Sequence, residues 1–197
     1  ITNFFNTFES MSSYPWTGGI FYLGNYISAL NLPWHYSIVW ILVSTPILYL
    51  FLFFLGSYLV IVRFIKRFIN LSEKKRFNDI YRGNKERMDI IFFSIFFFSI
   101  ILVIELNSTL YNGWRQLYYI YPSLIFISIR GLEFISRKIK VKYTFIFIIP
   151  FLIFTSLWMI KHHPFQFAYF NKLAGNNIRD NFEIDYWGVS NLKALNF

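Results

Sequence analysis

The residues best suited to do chemistry lie in two short stretches of the sequence, "LYNGWRQ" and "FEIDYWGVS". The candidate binding residues in them are Tyr111, Trp114, Arg115, Asp185, Tyr186 and Trp187. Aromatic rings can pack against the C–H faces of a sugar, while carboxylates and amides hydrogen-bond its hydroxyl groups. An arginine can hold a phosphate group through two parallel hydrogen bonds. These residue types therefore predict a site for a sugar, for a phosphate, or for both.

Structural roles are open for the same residues. Tyrosine and tryptophan are enriched where helices meet the membrane interface. Arg115 is also explained as an ordinary interface anchor, with Glu105 as a candidate pairing partner. Asp185 is also explained as the cap of a short helix that begins near Ser190, or as bonded to a loop amide. For three further tryptophans, anchoring at the interface is the preferred interpretation: Trp34, Trp40 and Trp158.

Other chemistries have little support in the sequence. His162 and His163 are adjacent, and neighbouring positions of an extended segment face opposite sides, so we expect an ordered turn there and no metal. Cysteine is absent, as are the GxSxG, P-loop and dinucleotide-binding patterns, and no cofactor is expected. If a carboxylate of this chain acts as a general base, the candidates outside the basic loops are Glu9, Glu105, Asp180, Glu183 and Asp185.

Composition places these stretches in a membrane protein. Of the 197 residues, 56% are hydrophobic and only 15% are charged, and a soluble domain of this length cannot bury so much apolar surface. The net charge of +9 does not indicate a nucleic-acid-binding protein, because the basic residues lie between long apolar runs rather than on a polar fold. Membrane lipids are the expected partners, and nucleic acid is not.

Four apolar segments are long enough to be membrane spans, since about 20 helical residues cross the hydrocarbon core. They lie at about 37–62, 90–106, 117–136 and 143–160. Unbroken apolar runs favour helices over barrel strands, and Pro46 predicts a kink in the first helix. The predicted fold class is all-α integral membrane. Its organisation is an extracytoplasmic loop region at 1–36, a transmembrane region at 37–160 and an extracytoplasmic tail at 161–197.

The distribution of lysine and arginine predicts the orientation in the membrane. The connection between the first two spans carries nine of these residues, the region of the last connection carries five, and all other segments together carry five. By the positive-inside rule the two basic regions face the cytoplasm, where their charges contact anionic lipid headgroups. Both ends of the chain and the loop 107–116 are then extracytoplasmic.

A resemblance to a known family adds to this interpretation. Four phrases carry it, in the order "LPWHYSIVWILVSTPILYLFLFFLG", "LYNGWRQLYYIYPSLIFIS", "HHPFQFAYFNKLAGN" and "FEIDYWGVS". Together they resemble the carboxy-terminal part of bacterial multi-span glycosyltransferases of the GT-C superfamily. The related group is glycosyltransferase family 39, with protein O-mannosyltransferases and aminoarabinose transferases. The resemblance extends from about Tyr14 onward.

The resemblance implies a partial GT-C fold in the bacterial inner membrane and a definite reaction. Such enzymes move a sugar from a polyprenyl-phosphate carrier to an acceptor at the outer face of the membrane. A carboxylate acts as general base, and cationic residues hold the departing lipid phosphate. In the family this carboxylate lies in the first outer loop of a much longer chain, and Glu9 does not match its motif. We therefore expect a piece of a longer protein, inactive alone, whose catalytic base lies upstream of Ile1.

Two alternatives come from other classes of protein. A non-catalytic membrane subunit would use its aromatic outer segments to scaffold partner proteins. A small-molecule transporter would place polar or charged residues at mid-membrane depth, which three of the four predicted spans lack. The glycosyltransferase fragment is the leading hypothesis, and the scaffold subunit is the second.

Overall fold

The computed structural model describes residues 16–69, 81, 83–185, 188 and 191, which are mostly helical. The elements, in chain order, are β1 (Gly19–Tyr22), β2 (Asn25–Ser28), α1 (Tyr36–Ser44), α2 (Ile47–Ile69), α3 (Gly83–Glu105), a 3-10 helix (Arg115–Ile120), α4 (Tyr121–Lys138), α5 (Val141–Lys161), two 3-10 turns (Gln166–Ala168 and Lys172–Ala174) and α6 (Ile178–Asn181).

The chain separates into two compact units. The helical unit consists of the described residues within 46–99 and 119–161. The aromatic unit consists of the described residues within 1–45, 100–118 and 162–197. Helix α3 contributes its residues up to Ser99 to the helical unit and its last turns to the aromatic unit.

Three of the described helices, α2, α3 and α5, are long and apolar enough to cross a membrane. They contain 23, 23 and 21 residues, so they measure roughly 32 to 35 Å, slightly more than a hydrocarbon core of about 30 Å. Much of their apolar surface is exposed. Exposure is greatest on α5, where only 11% of the most apolar 18-residue stretch is buried. Lipid accommodates such surface. The prediction is confirmed to this extent: the described residues are mostly helical, and three of their helices can span a membrane.

The segment predicted as the third span has a different character. The sequence predicts one helix at 117–136, whereas the structure has the 3-10 helix Arg115–Ile120 followed by α4. Pro122 suits the first turn of α4, because a proline there loses no helical hydrogen bond. The second half of α4 carries charged residues, and α4 is not among the described helices that are apolar enough to span a membrane.

The first predicted span is divided into α1 and α2 at Pro46. Because proline has no N–H, the carbonyl of Leu42 lacks its usual helical donor. The side-chain amide of Asn171 donates to this carbonyl at 2.6 Å, and also to the carbonyl of Thr45 at 2.6 Å. The backbone N–H of Asn171 donates to the Val43 carbonyl at 2.8 Å. The predicted kink is therefore a break, and a residue 126 positions beyond Thr45 bonds the carbonyls that the break leaves open.

In the helical unit, α2 and α4 approach so closely that two positions require glycine. A β-carbon added to Gly56 would overlap the carbonyl oxygen of Ile127, and one added to Gly131 would overlap that of Leu52. Both obstacles are backbone atoms, which cannot move aside as a flexible side chain can. The hydroxyl of Ser128 adds a hydrogen bond of 3.1 Å to a backbone carbonyl of α2. Small residues of this kind let membrane helices pack backbone against backbone.

Charged residues of the helical unit are paired around the buried carboxylate of Asp89. Its oxygens accept hydrogen bonds from Arg63 of α2, at 2.7 Å, and from Arg130 of α4. Glu133 in turn accepts from Arg130 at 2.9 Å and from Arg137 at 2.5 Å. A buried charge is costly unless it is paired and hydrogen-bonded. The pairing with Asp89 explains how α4 accommodates Arg130 in the middle of the helix.

The first described elements of the aromatic unit form a β-hairpin. Strands β1 and β2 are antiparallel with Tyr22 opposite Asn25, so Leu23 and Gly24 form a two-residue turn. Both turn residues have positive φ, 48° and 78°, which is the geometry of the tightest hairpins and which glycine adopts without strain. The N–H of Gly24 donates to the carbonyl of Asn181 at 3.3 Å. The tail of the chain is thereby bonded to the hairpin turn.

Helix α3 ends in a well-defined cap within the aromatic unit. Asn107 has a φ of 46° and donates its N–H to the carbonyl of Ile104 at 3.2 Å. The N–H of Ser108 donates to the carbonyl of Val103 at 3.0 Å. These two bonds are those of the Schellman motif, and asparagine tolerates its left-handed position better than most residues. The cap sets the direction in which the chain leaves α3 towards "LYNGWRQ".

Candidate functional site

The aromatic unit is organised around a core of five rings. These belong to Tyr22, Tyr36, Trp40, Phe170 and Phe182, and contacting pairs have ring centroids 4.9 to 6.3 Å apart. Phe182 also forms a backbone bridge with Tyr22. The rings come from the hairpin, from α1 and from the tail, and each contact adds about 0.5 to 1.5 kcal/mol to the effect of burial. Phe182 is therefore the residue of "FEIDYWGVS" that docks this stretch.

Trp114 attaches the loop that follows α3 to helix α1. Its ring is buried, and its Nε1 donates to the hydroxyl of Ser44 at 2.8 Å. The Ser44 hydroxyl donates in turn to the carbonyl of Trp40 at 2.6 Å. The predicted contact of Trp114 with a substrate stays a prediction. In the structure this residue holds the segment that carries Arg115.

Arg115 lies over an aromatic ring. Its guanidinium carbon is 4.6 Å from the ring centroid of Tyr111, and the Tyr111 ring is stacked on Trp16 with centroids 4.7 Å apart. All three side chains are partly exposed. We call these three residues the Arg115 platform. A guanidinium lying over a ring is held in a fixed plane and presents its N–H groups at its edge, where a phosphate or carboxylate can bind.

The pairing of Arg115 with Glu105 stays a prediction. The interface-anchor role of Arg115 and its role as a phosphate ligand both remain predictions. The contact with Tyr111 is compatible with each, because it orients the guanidinium group.

The second stretch is described only in part. Tyr186 and Trp187 lie outside the described residues, so their predicted sugar contacts are not addressed by the structure. Asp185 belongs to the same unit as the Arg115 platform and is partly buried. Its backbone carbonyl accepts a hydrogen bond from the N–H of Gly188 at 3.2 Å. The substrate contact of Asp185 stays a prediction.

Glu183 is a carboxylate whose environment the sequence did not distinguish from that of the other four candidates. It follows the buried Phe182, and partial burial raises the pKa of its carboxyl group. Burial also raises the pKa of Tyr36, and the charge of Glu183 adds to that increase, so the two groups are near each other. No pattern in "FEID" reveals this, because the burial of each acid depends on where Phe182 docks.

The histidines of the aromatic unit lie in two places. His35 binds the hydroxyl of Tyr22 through Nδ1 at 2.7 Å, and burial raises the pKa of Tyr22 to about 12. His162 and His163 lie in the ordered turn that the sequence predicts, and His163 Nδ1 is 2.7 Å from the side-chain amide nitrogen of Gln166. Within the described parts of the chain, no three histidine, aspartate or glutamate side chains are grouped as metal ligands.

No protein-family model, curated protein or solved structure matches this chain. The described residues are mostly helical, and three of their helices are long and apolar enough to cross a membrane, so they indicate an α-helical membrane protein. What the aromatic unit adds is a cation on an aromatic platform and a partly buried carboxylate. These groups are suited to binding an anionic headgroup together with a hydroxyl-bearing ligand.

Proposed function

We propose that this chain is part of a GT-C-type glycosyltransferase of the bacterial inner membrane, and that Arg115 binds the phosphate of a polyprenyl-phosphate sugar donor. The proposal includes four membrane spans, the third of them containing α4, and extracytoplasmic positions for both ends of the chain. Two things support it: the resemblance of the four sequence phrases to that family, and the Arg115 platform. The platform is the observation that carries the chemistry.

The position of Arg115 in the chain fits a headgroup ligand. It follows the last residue of α3 by ten positions, and α3 is one of the helices that can cross a membrane. A residue so close to the end of a span lies near the depth of lipid phosphates. When a sugar leaves its carrier, negative charge develops on the carrier phosphate, and a fixed cation lowers the energy of that state. Arg115 is therefore suited to bind the donor and to stabilise the leaving group.

Binding of a short-chain polyprenyl phosphate to the whole chain in lipid nanodiscs tests this role. We expect Arg115→Ala to weaken binding at least tenfold, on the order of the loss of one charged hydrogen-bonding partner. Arg115→Lys should retain part of the affinity, because it keeps the charge but not the paired geometry. Arg179→Ala is the matched control, since Arg179 is an exposed arginine of the same unit.

Equal affinities for the wild-type chain, Arg115→Ala and Arg179→Ala would refute the phosphate role. A neutral polyprenol serves as the companion ligand. If it binds as tightly as the phosphate, the apolar tail alone accounts for binding and the proposal is also refuted.

A non-catalytic scaffold subunit is the second candidate function, and α5 favours it. Most of the apolar side chains of α5 are exposed, and such a surface can contact a second membrane helix as well as lipid. A photo-reactive residue in place of the exposed Phe154 tests this function by cross-linking in native membranes. A single protein cross-linked in stoichiometric amount supports the scaffold, whereas cross-links to lipid alone count against it.

A further inference from the structure

A small cavity lies in the aromatic unit, where the start of α1 meets the end of α3. Its volume is about 70 Å³, which is room for several water molecules. Pro33, Val103 and Ile104 contribute apolar lining, and Ser37, Asn107 and Ser108 contribute polar lining. The cavity therefore combines apolar and polar lining, as small-molecule sites do. It is large enough to admit one edge of a six-membered ring.

The polar lining is held in place by the cap of α3. Asn107 occupies the left-handed position of the Schellman motif, and Ser108 is the next residue, with its N–H bonded to Val103. The amide of Asn107 offers both donors and an acceptor, and each serine hydroxyl offers a donor and acceptor positions. Neighbouring hydroxyl groups of a sugar require this combination, because each of them both donates and accepts.

Trp34 lines the same cavity and is 66% exposed. Its ring meets the ring of His35 edge-on, with centroids 5.5 Å apart and an interplanar angle of 88°. His35 is itself held by the Tyr22 hydroxyl. The indole is thus supported on one side while most of its surface is open, and an open indole can cover the C–H face of a ring. An exposed aromatic ring beside fixed hydroxyl-binding groups is an arrangement that favours sugars.

We propose that this cavity and Trp34 bind a single sugar ring, which we call the Trp34 site. The inference rests on the proposed function and deepens it, because it assigns the ring and the phosphate of the ligand to different residues. The Arg115 platform recognises charge, whereas the Trp34 site recognises hydroxyl groups and a C–H face. The ring is that of the carrier-linked donor or that of a glycan acceptor, and the two sources are separated by the choice of probes.

The test uses the whole chain in nanodiscs and two sets of probes. One set is the methyl glycosides of glucose, galactose and mannose, and the other is the same sugars on a short polyprenyl phosphate. Binding is measured by saturation-transfer NMR and by tryptophan fluorescence. We expect Trp34→Ala to lower the affinity for the sugar-bearing probes about tenfold. We expect Asn107→Gly to lower it about fivefold, the effect of one hydrogen bond.

A matched control separates binding from folding. Glycine adopts positive φ without strain, so Asn107→Gly removes the amide and keeps the cap of α3. Asn112 also has positive φ, 56°, and does not line the cavity. Asn112→Gly should therefore leave the affinity within about twofold of wild type. Trp34→Phe, which keeps a ring, should recover part of the loss seen in Trp34→Ala.

The outcomes separate this proposal from the phosphate role of Arg115. Losses confined to the carrier-linked sugars support a donor site, and losses that extend to the methyl glycosides support an acceptor site. If no methyl glycoside binds and no carrier-linked sugar binds better than unmodified polyprenyl phosphate, Trp34 is only an interface anchor and the Trp34 site is refuted. An equal loss in Asn112→Gly refutes it as well. In either case, Arg115-dependent binding of polyprenyl phosphate leaves the proposed function standing.

Discussion

Each of the two units is stabilised internally, and the kinds of contact differ between them. In the helical unit, Gly56 and Gly131 bring two helix backbones together, and Asp89 pairs with arginines of α2 and α4. In the aromatic unit, rings pack around Phe182, and the amide of Asn171 bonds the open end of α1. The helical unit thus depends on small residues where two helices touch and on ion pairs around one acid. The aromatic unit depends on the packing of rings and on the hydrogen bonds of an amide.

This difference has a functional meaning. The acids that the structure describes in the helical unit, Glu86, Asp89 and Glu133, are engaged in ion pairs with arginine. In the aromatic unit the structural bonds leave partly exposed groups such as Glu183, Trp34 and the Arg115 platform on rigid supports. Binding sites need groups that are both fixed in position and accessible. The comparison therefore places the candidate ligand contacts in the aromatic unit.

The largest expected effect is that of Gly131→Ala, which adds a methyl group where α2 and α4 are in backbone contact. The added β-carbon would overlap the carbonyl of Leu52, so α2 and α4 must separate, and we expect a loss of about 3 kcal/mol in the free energy of unfolding. The measurement is unfolding in mixed micelles titrated with dodecyl sulfate. Gly19→Ala is the matched control, because the nearest atom to its new β-carbon is a Tyr26 ring carbon at 4.0 Å. Equal stability of the two variants would mean that glycine is not required where α2 meets α4.

An intermediate effect is expected for Asn171→Ala in the aromatic unit. The carbonyls of Leu42 and Thr45 lose their side-chain donor, which should lower the free energy of unfolding by about 2 kcal/mol. Hydrogen exchange should increase at the end of α1. Asn181→Ala is the control, because its amide also donates to a backbone carbonyl but in an exposed position. If Asn181→Ala is the more damaging change, the bonds from Asn171 to the carbonyls before Pro46 are not what stabilises α1.

The smallest effect concerns the pH dependence contributed by Glu183. Burial raises the pKa of its carboxyl group in the folded chain, so the folded state holds the proton more tightly than the unfolded state. The stability that this group contributes is present below its unfolded pKa of about 4.3 and decreases as the pH rises through the folded pKa. We expect Glu183→Gln to flatten the decrease in melting temperature between about pH 4 and neutral pH. Parallel curves for wild type and Glu183→Gln would contradict this, and the exposed Asp180→Asn serves as the control.

Local pattern was sufficient to predict much of the helical unit. The runs at 90–106 and 143–160 correspond to α3 and α5, although both helices begin before the predicted bounds. The reason is that a helix continues through polar residues beyond its apolar part when they find partners, as Glu86 and Asp89 do with arginines of α2. Apolarity predicts the portion in the hydrocarbon core but not the helical turns outside it.

The candidate site was predicted less completely. Tyr111 and Arg115 were identified from their residue types, and the structure brings them into contact. The stacking of Trp16 on Tyr111 was not predicted, because the two residues are far apart in sequence and no periodicity links them. The cavity beside Trp34 was missed for the same reason. Trp34 was interpreted as an interface anchor, and only its place in the lining of the same cavity as Asn107 suggests another role.

The sequence by itself indicated the class of this protein, because its apolar segments of about 20 residues are long enough to cross the hydrocarbon core, and lipid favours helices there. It also indicated a disturbance of the first helix at Pro46, which cannot donate a hydrogen bond, although the structure shows a break there rather than the predicted kink. Tertiary structure alone decided that Asn171 bonds that interruption, that Asp89 neutralises Arg130, and that Glu183 is partly buried. Each of these depends on contacts between distant segments, whose free energies belong to the packed chain and not to any local stretch of residues.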